Sequence, residues 1–187
     1  MPTLLWFRRD LRCHDHPALL EAAQPDGEVL ACYVLDPRLE ASAGAPRLRY
    51  LYRALRALSE SLDGRLLVTR GRPEERIPAL ARAISATSVH ISQDYSPFGR
   101  RRDDTVQAAL GETELCATGS GYLVSPGRIT KSDGAPYRVF TPFYRAWREH
   151  GWRAPAIPAP ARRAGSTPRT RPKTSPPESK SLLPPNT

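Results

Sequence analysis

TLLWFRRDLRCHDHPAL, residues 3–19, is the stretch of this chain that decides its fold. The apolar run Thr3–Phe7 predicts a buried strand, and a cluster of charged side chains within Arg8–Arg12 follows it at once. A dinucleotide-binding fold of the glycine-rich kind would carry glycines at this point. A helix start comes next, because Asp15 is placed to cap a helix and Pro17 lies in its first turn. A first strand that ends in arginines indicates an α/β domain that holds a polar or anionic ligand with side chains.

Strand-like and helix-like runs alternate along the chain as far as Ala117. The predicted strands are Thr3–Phe7, Val29–Leu35, Leu66–Thr69, Val89–Ser92 and Glu114–Ala117. The predicted helices are Pro17–Ala23, a run with leucines at spacings of three and four between Pro46 and Gly64, a run that opens at Pro73, and Pro97–Leu110. This order predicts an α/β fold with a doubly wound, five-stranded parallel sheet, Rossmann-like, with helices on both faces.

The composition changes after the predicted sheet and divides the chain into three parts. Residues 1–125 are expected to form the α/β domain. Residues 126–150 carry a hairpin-type turn at Asp133-Gly134, between Arg128–Lys131 and Tyr137–Phe140, and then the start of a short helix near Phe143 and Trp147. Residues 151–187 contain nine prolines, seven basic residues and one acidic residue. We expect this last part to be a disordered C-terminal tail, because it cannot bury enough apolar surface to offset its ordering entropy.

Composition excludes several classes of protein. Most of the formal net charge of +9 lies in the tail, so it is weak evidence that the folded part binds nucleic acid, although the tail itself could contact it. Three cysteines without CxxC spacing fit reduced thiols in a cytoplasmic protein. No apolar run has the length of a membrane span and no signal-type segment opens the chain. Adjacent residues Cys13–His16 cannot easily aim at one ion, so no metal site is predicted, and no catalytic grouping is evident.

Polar side chains follow three of the predicted strands. Ligands of open α/β sheets bind at the carboxyl ends of the strands, near the point where the strand order reverses. The side chains expected at that edge are those of Arg8-Arg9-Asp10, Asp36, Gln93-Asp94-Tyr95, Arg47 and Arg102. Two interpretations stay open. These groups either surround a flat polar ring with donors and acceptors, or form an ion-pair network that only fixes the strand ends.

Three motifs carry a resemblance to a known family. Trp6–Leu19 resembles the opening of DNA photolyases and cryptochromes. Gln93–Arg100, which closes on Arg102-Asp103, resembles a second motif of the family, and Gly134–Trp147 resembles a third. The three occur in the family's order and cover residues 3 to about 150.

The resemblance implies an N-terminal α/β domain that holds an antenna chromophore and a larger helical domain that binds FAD and damaged DNA. Matched by position, the antenna pocket would use the backbone around Val34 and Asp36, with Arg47, Asp94 and Arg102, and Arg8 and Asp10 beside them. The second motif favours an antenna of the 8-hydroxy-5-deazaflavin type over methenyltetrahydrofolate. FAD would bind only in the helical domain, to which no part of this sequence is similar.

The resemblance therefore favours a truncated DNA photolyase, the antenna domain of a light-dependent repair flavoprotein, which has no catalytic residues and is inactive alone. The abrupt change of composition after Trp152 resembles a frameshifted or truncated reading frame. The alternatives are a stand-alone chromophore- or nucleotide-binding module with a separately encoded helical domain, and a cryptochrome-like photoreceptor fragment. A basic nucleic-acid-binding protein is the most remote of them.

Overall fold

The computed structural model describes residues 1–23 and 28–156. Its strands are β1 (Thr3–Phe7), β2 (Val29–Leu35), β3 (Leu66–Arg70), β4 (Ser88–Gln93) and β5 (Glu114–Ser120). Its helices are α1 (Pro17–Ala22), α2 (Pro37–Ser42), α3 (Ala45–Ser61), α4 (Pro73–Ala83), α5 (Pro97–Leu110) and α6 (Phe140–His150). The tail predicted to be disordered falls outside the described residues from Ile157 onward. No helix within the described ranges is long and apolar enough to cross a membrane.

The five strands form one parallel sheet in the order β3-β2-β1-β4-β5. Strand β1 lies at the centre and pairs with β2 from Thr3 opposite Val29 and with β4 from Leu4 opposite Val89. The chain builds outward to β3, then crosses β1 to build β4 and β5, so the strand order reverses between β1 and β4. The doubly wound α/β prediction is confirmed, and the reversal places a crevice at the carboxyl ends of β1 and β4.

Two apolar layers cover the two faces of the sheet. Alternate residues of a strand point to opposite faces, so Leu5 and Phe7 pack beneath α1 and α3, whereas Leu4 and Trp6 pack beneath α4 and α5. Strand β1 is apolar throughout because both of its faces are buried, as expected for a central parallel strand. The charged residues begin only where the strand leaves the sheet.

The start of α1 differs from its prediction. His16, not Asp15, caps the helix, because its Nδ1 accepts a hydrogen bond from the Leu19 backbone N–H at 3.1 Å. Asp15 has a left-handed backbone (φ 49°), and its carboxylate makes no capping hydrogen bond to α1. The carboxylate accepts hydrogen bonds from Arg153 Nη1 at 2.6 Å and from the Ala156 backbone N–H at 2.8 Å. The carboxylate therefore holds the segment after α6 instead of the helix start.

Two further elements were predicted incompletely. Helix α2 was not predicted, since its six residues are too few for a helical repeat of apolar side chains. The turn at Asp133-Gly134 forms, with Gly134 at φ 79° and a hydrogen bond from Lys131 N–H to the Ala135 carbonyl at 2.9 Å. The predicted hairpin is wrong, because neither flanking segment is a strand in the described chain. Pro136 cannot donate a ladder hydrogen bond, and α6 already begins at Phe140.

Candidate functional site

A cavity of about 170 Å³ opens at the carboxyl ends of β1, β2 and β4, beside the point where the strand order reverses. It is lined by Trp6, Phe7, Arg8, Arg9, Tyr33, Val34, Asp36, Leu39, Pro73, Asp94, Phe98 and Arg102. Strands and the loops directly after them contribute most of this wall, and α5 contributes Phe98 and Arg102. The site is therefore built on the rigid centre of the sheet.

Asp103 joins two arginines of the cavity wall. Arg8 Nη1 donates to Asp103 Oδ1, and Arg102 donates to the same oxygen from Nε at 3.0 Å and from Nη2 at 2.9 Å. The second terminal nitrogen of Arg8 donates to the Ser92 carbonyl at the end of β4. The Arg8 and Arg102 side chains are only 6% and 10% exposed. One carboxylate thus compensates two buried guanidinium groups and ties the end of β1 to α5.

Trp6 lies between these arginines and the apolar core. The guanidinium carbons of Arg8 and Arg102 each lie 5.1 Å from the centre of its ring, within cation–π range. Burial lowers the pKa of Arg8, and the positive charge of Arg102 lowers it further, against the raising effect of Asp103. Arg8 keeps its charge nevertheless, since arginine does not deprotonate in proteins. Arg8 and Arg102 therefore add two positive charges to the cavity lining, and Trp6 adds an aromatic ring.

Asp94 supplies a carboxylate to the cavity lining. Its Oδ1 accepts from the Ser96 backbone N–H at 3.0 Å, and Arg102 Nη2 lies 3.4 Å from its Oδ2. Burial alone would raise the pKa of Asp94, but the hydrogen bonds from Ser96 and the charges of Arg9 and Arg102 outweigh it, and the pKa is lowered. The carboxylate lies directly on Gly99, where an added Cβ would be 2.2 Å from its Cγ. Position 99 must be a glycine for the Asp94 carboxylate to approach the α5 backbone this closely.

Asp36 is a second buried carboxylate at this edge. It caps α2 by accepting from the Arg38 backbone N–H at 2.9 Å, and Arg38 Nη2 donates to its Oδ2 at 2.6 Å. Burial opposes ionisation of Asp36, but these hydrogen bonds from Arg38 prevail and lower its pKa. Arg38 also donates to Glu74 on α4 at 3.0 Å, so it links the loops after β2 and β3.

Asp10 has a structural position behind the cavity wall. The Ser92 hydroxyl donates to its Oδ2, and His16 Nε2 lies 3.3 Å from the same oxygen but outside hydrogen-bond alignment. Burial acts to raise the pKa of Asp10, yet its contacts with His16 and Ser92 lower it far below the ordinary range. Asp10 joins the end of β1 to β4 and to the start of α1.

The structure brings most of the predicted site residues to one place. Arg8, Val34, Asp36, Asp94 and Arg102 line the cavity. Arg47 is exposed at the start of α3 and lies outside this lining, and Asp10 lies behind it. Asp103 was not among the site residues expected from the sequence, which named it only as part of a motif. The helical spacing could have identified it, because position 103 lies four residues after Gly99 and three before the buried Val106, on the inward face of α5.

These features define a class of protein: a doubly wound α/β domain whose ligand site is made by arginine, carboxylate and aromatic side chains instead of a glycine-rich loop. A family model described as DNA photolyase matches residues 3–161, and the chain belongs to that family. The matched region is the family's N-terminal α/β domain.

Relatives and solved structures agree with this assignment. The chain is 40% identical over 161 residues to the deoxyribodipyrimidine photo-lyase of Thermus thermophilus, covering 85% of this chain and 36% of that protein. A class III photolyase from Agrobacterium tumefaciens superimposes with a TM-score of 0.75 at 32% identity, over 94% of this chain and 37% of the other. A Synechocystis cryptochrome gives a TM-score of 0.76 at 27% identity, over 84% and 36%.

The chain spans about a third of the length of the curated photolyases it matches. What it shares with them is thus the α/β domain and the segment that follows it. This partial match to photolyases and cryptochromes favours the photolyase-domain interpretation over an unrelated stand-alone module.

Proposed function

We propose that residues 1–125 are the antenna domain of a DNA photolyase and that the cavity at the ends of β1, β2 and β4 binds the polar edge of a flat chromophore. Residues 126–150 would then be the connection toward a second domain. The observation that carries the proposal is the wall itself. Cationic, carboxylate and aromatic groups converge on one small cavity at the reversal of the strand order, where doubly wound sheets bind their ligands.

The residues present fit part of such a chromophore. A cavity of about 170 Å³ is smaller than the ~300–1,000 Å³ of sites that enclose a whole drug-sized ligand. It would take one end of a rigid tricycle, and the rest would lie over the rim. Arg8 has both terminal nitrogens committed, so it shapes the wall. Both carboxylate oxygens of Asp36 accept from Arg38, so that residue offers its backbone to the cavity. Arg9, with a 70% exposed side chain, and the carboxylate of Asp94 remain at the cavity to meet a ligand.

We infer an 8-hydroxy-5-deazaflavin rather than methenyltetrahydrofolate. A deazaflavin presents a flat ring with an edge of alternating N–H and carbonyl groups, which needs both acceptors and donors, as Asp94 and the arginines provide. A folate would also need an extended groove for its benzoyl-glutamate part. When bound, the chromophore absorbs light and passes the excitation on; the residues of this chain bind it, orient it and limit its contact with water.

The activity of the whole protein is also a proposal. We propose that light-driven repair of pyrimidine dimers needs FAD and a DNA-binding helical domain, and that this chain alone binds an antenna without repairing DNA. The helical domain would be its protein partner, separately encoded or continuous with it. A candidate contact face is on α6, where Phe140 and Tyr144 stack at 5.6 Å and remain exposed. We propose a cytoplasmic location and no membrane partner.

The test is a titration of the purified chain with each chromophore, followed by absorbance and fluorescence polarisation. Deazaflavin should bind, and Asp94→Ala should weaken that binding about tenfold or more through the loss of a charged acceptor. Asp104→Ala, which removes an exposed carboxylate on α5, is the matched control and should leave that binding unchanged. Preferred binding of the folate would overturn the choice of chromophore, and binding of neither would overturn the antenna proposal. Repair of dimers by this chain alone under light would overturn the proposed division of roles.

A further inference from the structure

The outward face of α3 carries an unusual set of side chains. Arg49, Tyr50 and Arg53 lie opposite the helix's buried leucines, and we call these three residues the arginine face. Arg49 and Arg53 are exposed, and Tyr50 between them is 77% exposed. The two arginines are one helical turn apart, about 6 Å along the axis. This face is on a different helix from the residues that line the cavity.

The arginine face is arranged against the electrostatics of its own helix. The first turn of α3 contains no acidic residue and its N-cap, Gly44, provides no side-chain hydrogen bond. Arg47 and Arg49 instead place positive charge near the positive end of the helix dipole. Arg49 and Arg53 also repel each other as like charges at i and i+4. Helix α4 shows the favourable arrangement, with acids in its first turn and Arg82 in its last.

Nothing in the described part of the chain compensates these charges. Arg49 and Arg53 make no hydrogen bond or ion pair with residues 1–23 or 28–156. The only acidic residue on α3 is Glu60, two turns beyond Arg53. Arrangements that break a local rule without a compensating contact are expected where a partner supplies the compensation.

We propose that the arginine face of α3 binds the phosphate backbone of nucleic acid, without sequence preference and independently of the chromophore cavity. Guanidinium groups match phosphate oxygens with two parallel hydrogen bonds. The exposed ring of Tyr50, three residues before Arg53 on the helix, adds a surface for stacking on a base or a sugar. A lipid surface is the weaker match, because Leu51, Leu55 and Leu58 of α3 pack into the core and Tyr50 alone offers this face a large apolar side chain to insert.

The experiment compares two variants of the full chain that lose the same charge. Arg49→Gln/Arg53→Gln removes the arginine face, and Arg82→Gln/Arg101→Gln removes two exposed arginines from α4 and α5. Both keep the basic C-terminal segment, whose contribution is therefore common to all samples. Binding to a fluorescent duplex DNA is measured by anisotropy from about 50 to 200 mM salt. Anionic vesicles of phosphatidylserine and phosphatidylcholine serve as the second probe.

If the proposal is right, the arginine-face variant loses about tenfold or more in affinity at about 50 mM salt and its log–log salt slope falls by about two, one for each lost phosphate contact. The control double variant should change affinity less than about twofold. The arginine-face variant should melt at the same temperature as the parent or higher, because a repulsive pair has been removed. Equal losses in both variants, a slope that does not change, or a loss confined to vesicle binding would each overturn the proposal.

Discussion

Among the residues at this site, we expect replacement of Asp103 to lower the free energy of unfolding most. Its Oδ1 accepts hydrogen bonds from Arg8 and Arg102, whose side chains are 6% and 10% exposed. Removal of one partner from a buried ion pair costs about 3–5 kcal/mol, since it leaves uncompensated charge. Asp103→Ala leaves Arg8 without a carboxylate partner and leaves Arg102 with its 3.4 Å contact to Asp94, so we expect a loss within that range. Asp103→Asn keeps an acceptor oxygen but no charge and should cost about 2 kcal/mol.

Urea unfolding followed by tryptophan fluorescence measures this loss, because Trp6 lies 5.1 Å from both guanidinium groups. With a slope of about 2 kcal/mol/M, Asp103→Asn should lower the unfolding midpoint by about 1 M. The matched control is Asp104→Asn, the neighbouring exposed carboxylate, which makes no hydrogen bond within the described chain and should change stability by less than about 0.5 kcal/mol.

The salt dependence of this loss of stability distinguishes a buried charge network from an exposed one. Exposed charge pairs are largely screened at about 1 M salt, whereas buried pairs are screened much less. The difference between Asp103→Asn and the parent should therefore persist at high salt. The reasoning is refuted if Asp103→Asn matches the Asp104→Asn control, or if its effect disappears in salt.

Three further predictions concern other parts of the structure. Gly99→Ala places a Cβ 2.2–2.6 Å from the carboxyl atoms of Asp94, so Asp94 must move. Chromophore titration should show at least about tenfold weaker binding and melting should show a loss of about 1–3 kcal/mol; unchanged binding would contradict this. Asp10 has a folded-state pKa below its unfolded value of about 3.9, so its stabilisation is complete above that value and is lost as pH falls. Denaturant titrations between about pH 5 and 3 should therefore show a smaller loss of stability for Asp10→Asn than for the parent, and parallel curves would refute this. Asp15→Ala removes the acceptor of Arg153 Nη1 and should speed amide hydrogen exchange after α6 while leaving global stability little changed, because the pair is exposed; unchanged exchange would show that the contact does not hold that segment.

The sequence alone determined the elements that carry strong local signals. Strand β2 (Val29–Leu35) and helix α5 (Pro97–Leu110) have the predicted bounds. The strand is an unbroken apolar run, and the helix lies between a proline and a glycine. Because parallel strands need helical crossovers, the alternation also fixed the doubly wound sheet and the edge where its ligand site would lie. Residues directly after strands, such as Asp36 and Asp94, were therefore predictable as members of the site.

Only the tertiary structure decided which of these charges face a ligand and which serve the fold. Asp103 lies 95 residues from Arg8, and no local pattern reveals that the carboxylate beside Arg102 also accepts a hydrogen bond from an arginine so far away in sequence. Asp10 and Arg47 are of the residue types expected at the site, but Asp10 accepts a hydrogen bond from Ser92 behind the wall and Arg47 is exposed outside the lining. Local sequence fixes the direction of the backbone and the period of burial. The partner of a charged side chain depends on which strand ends become neighbours. The order of the strands in the folded sheet decides which ends these are.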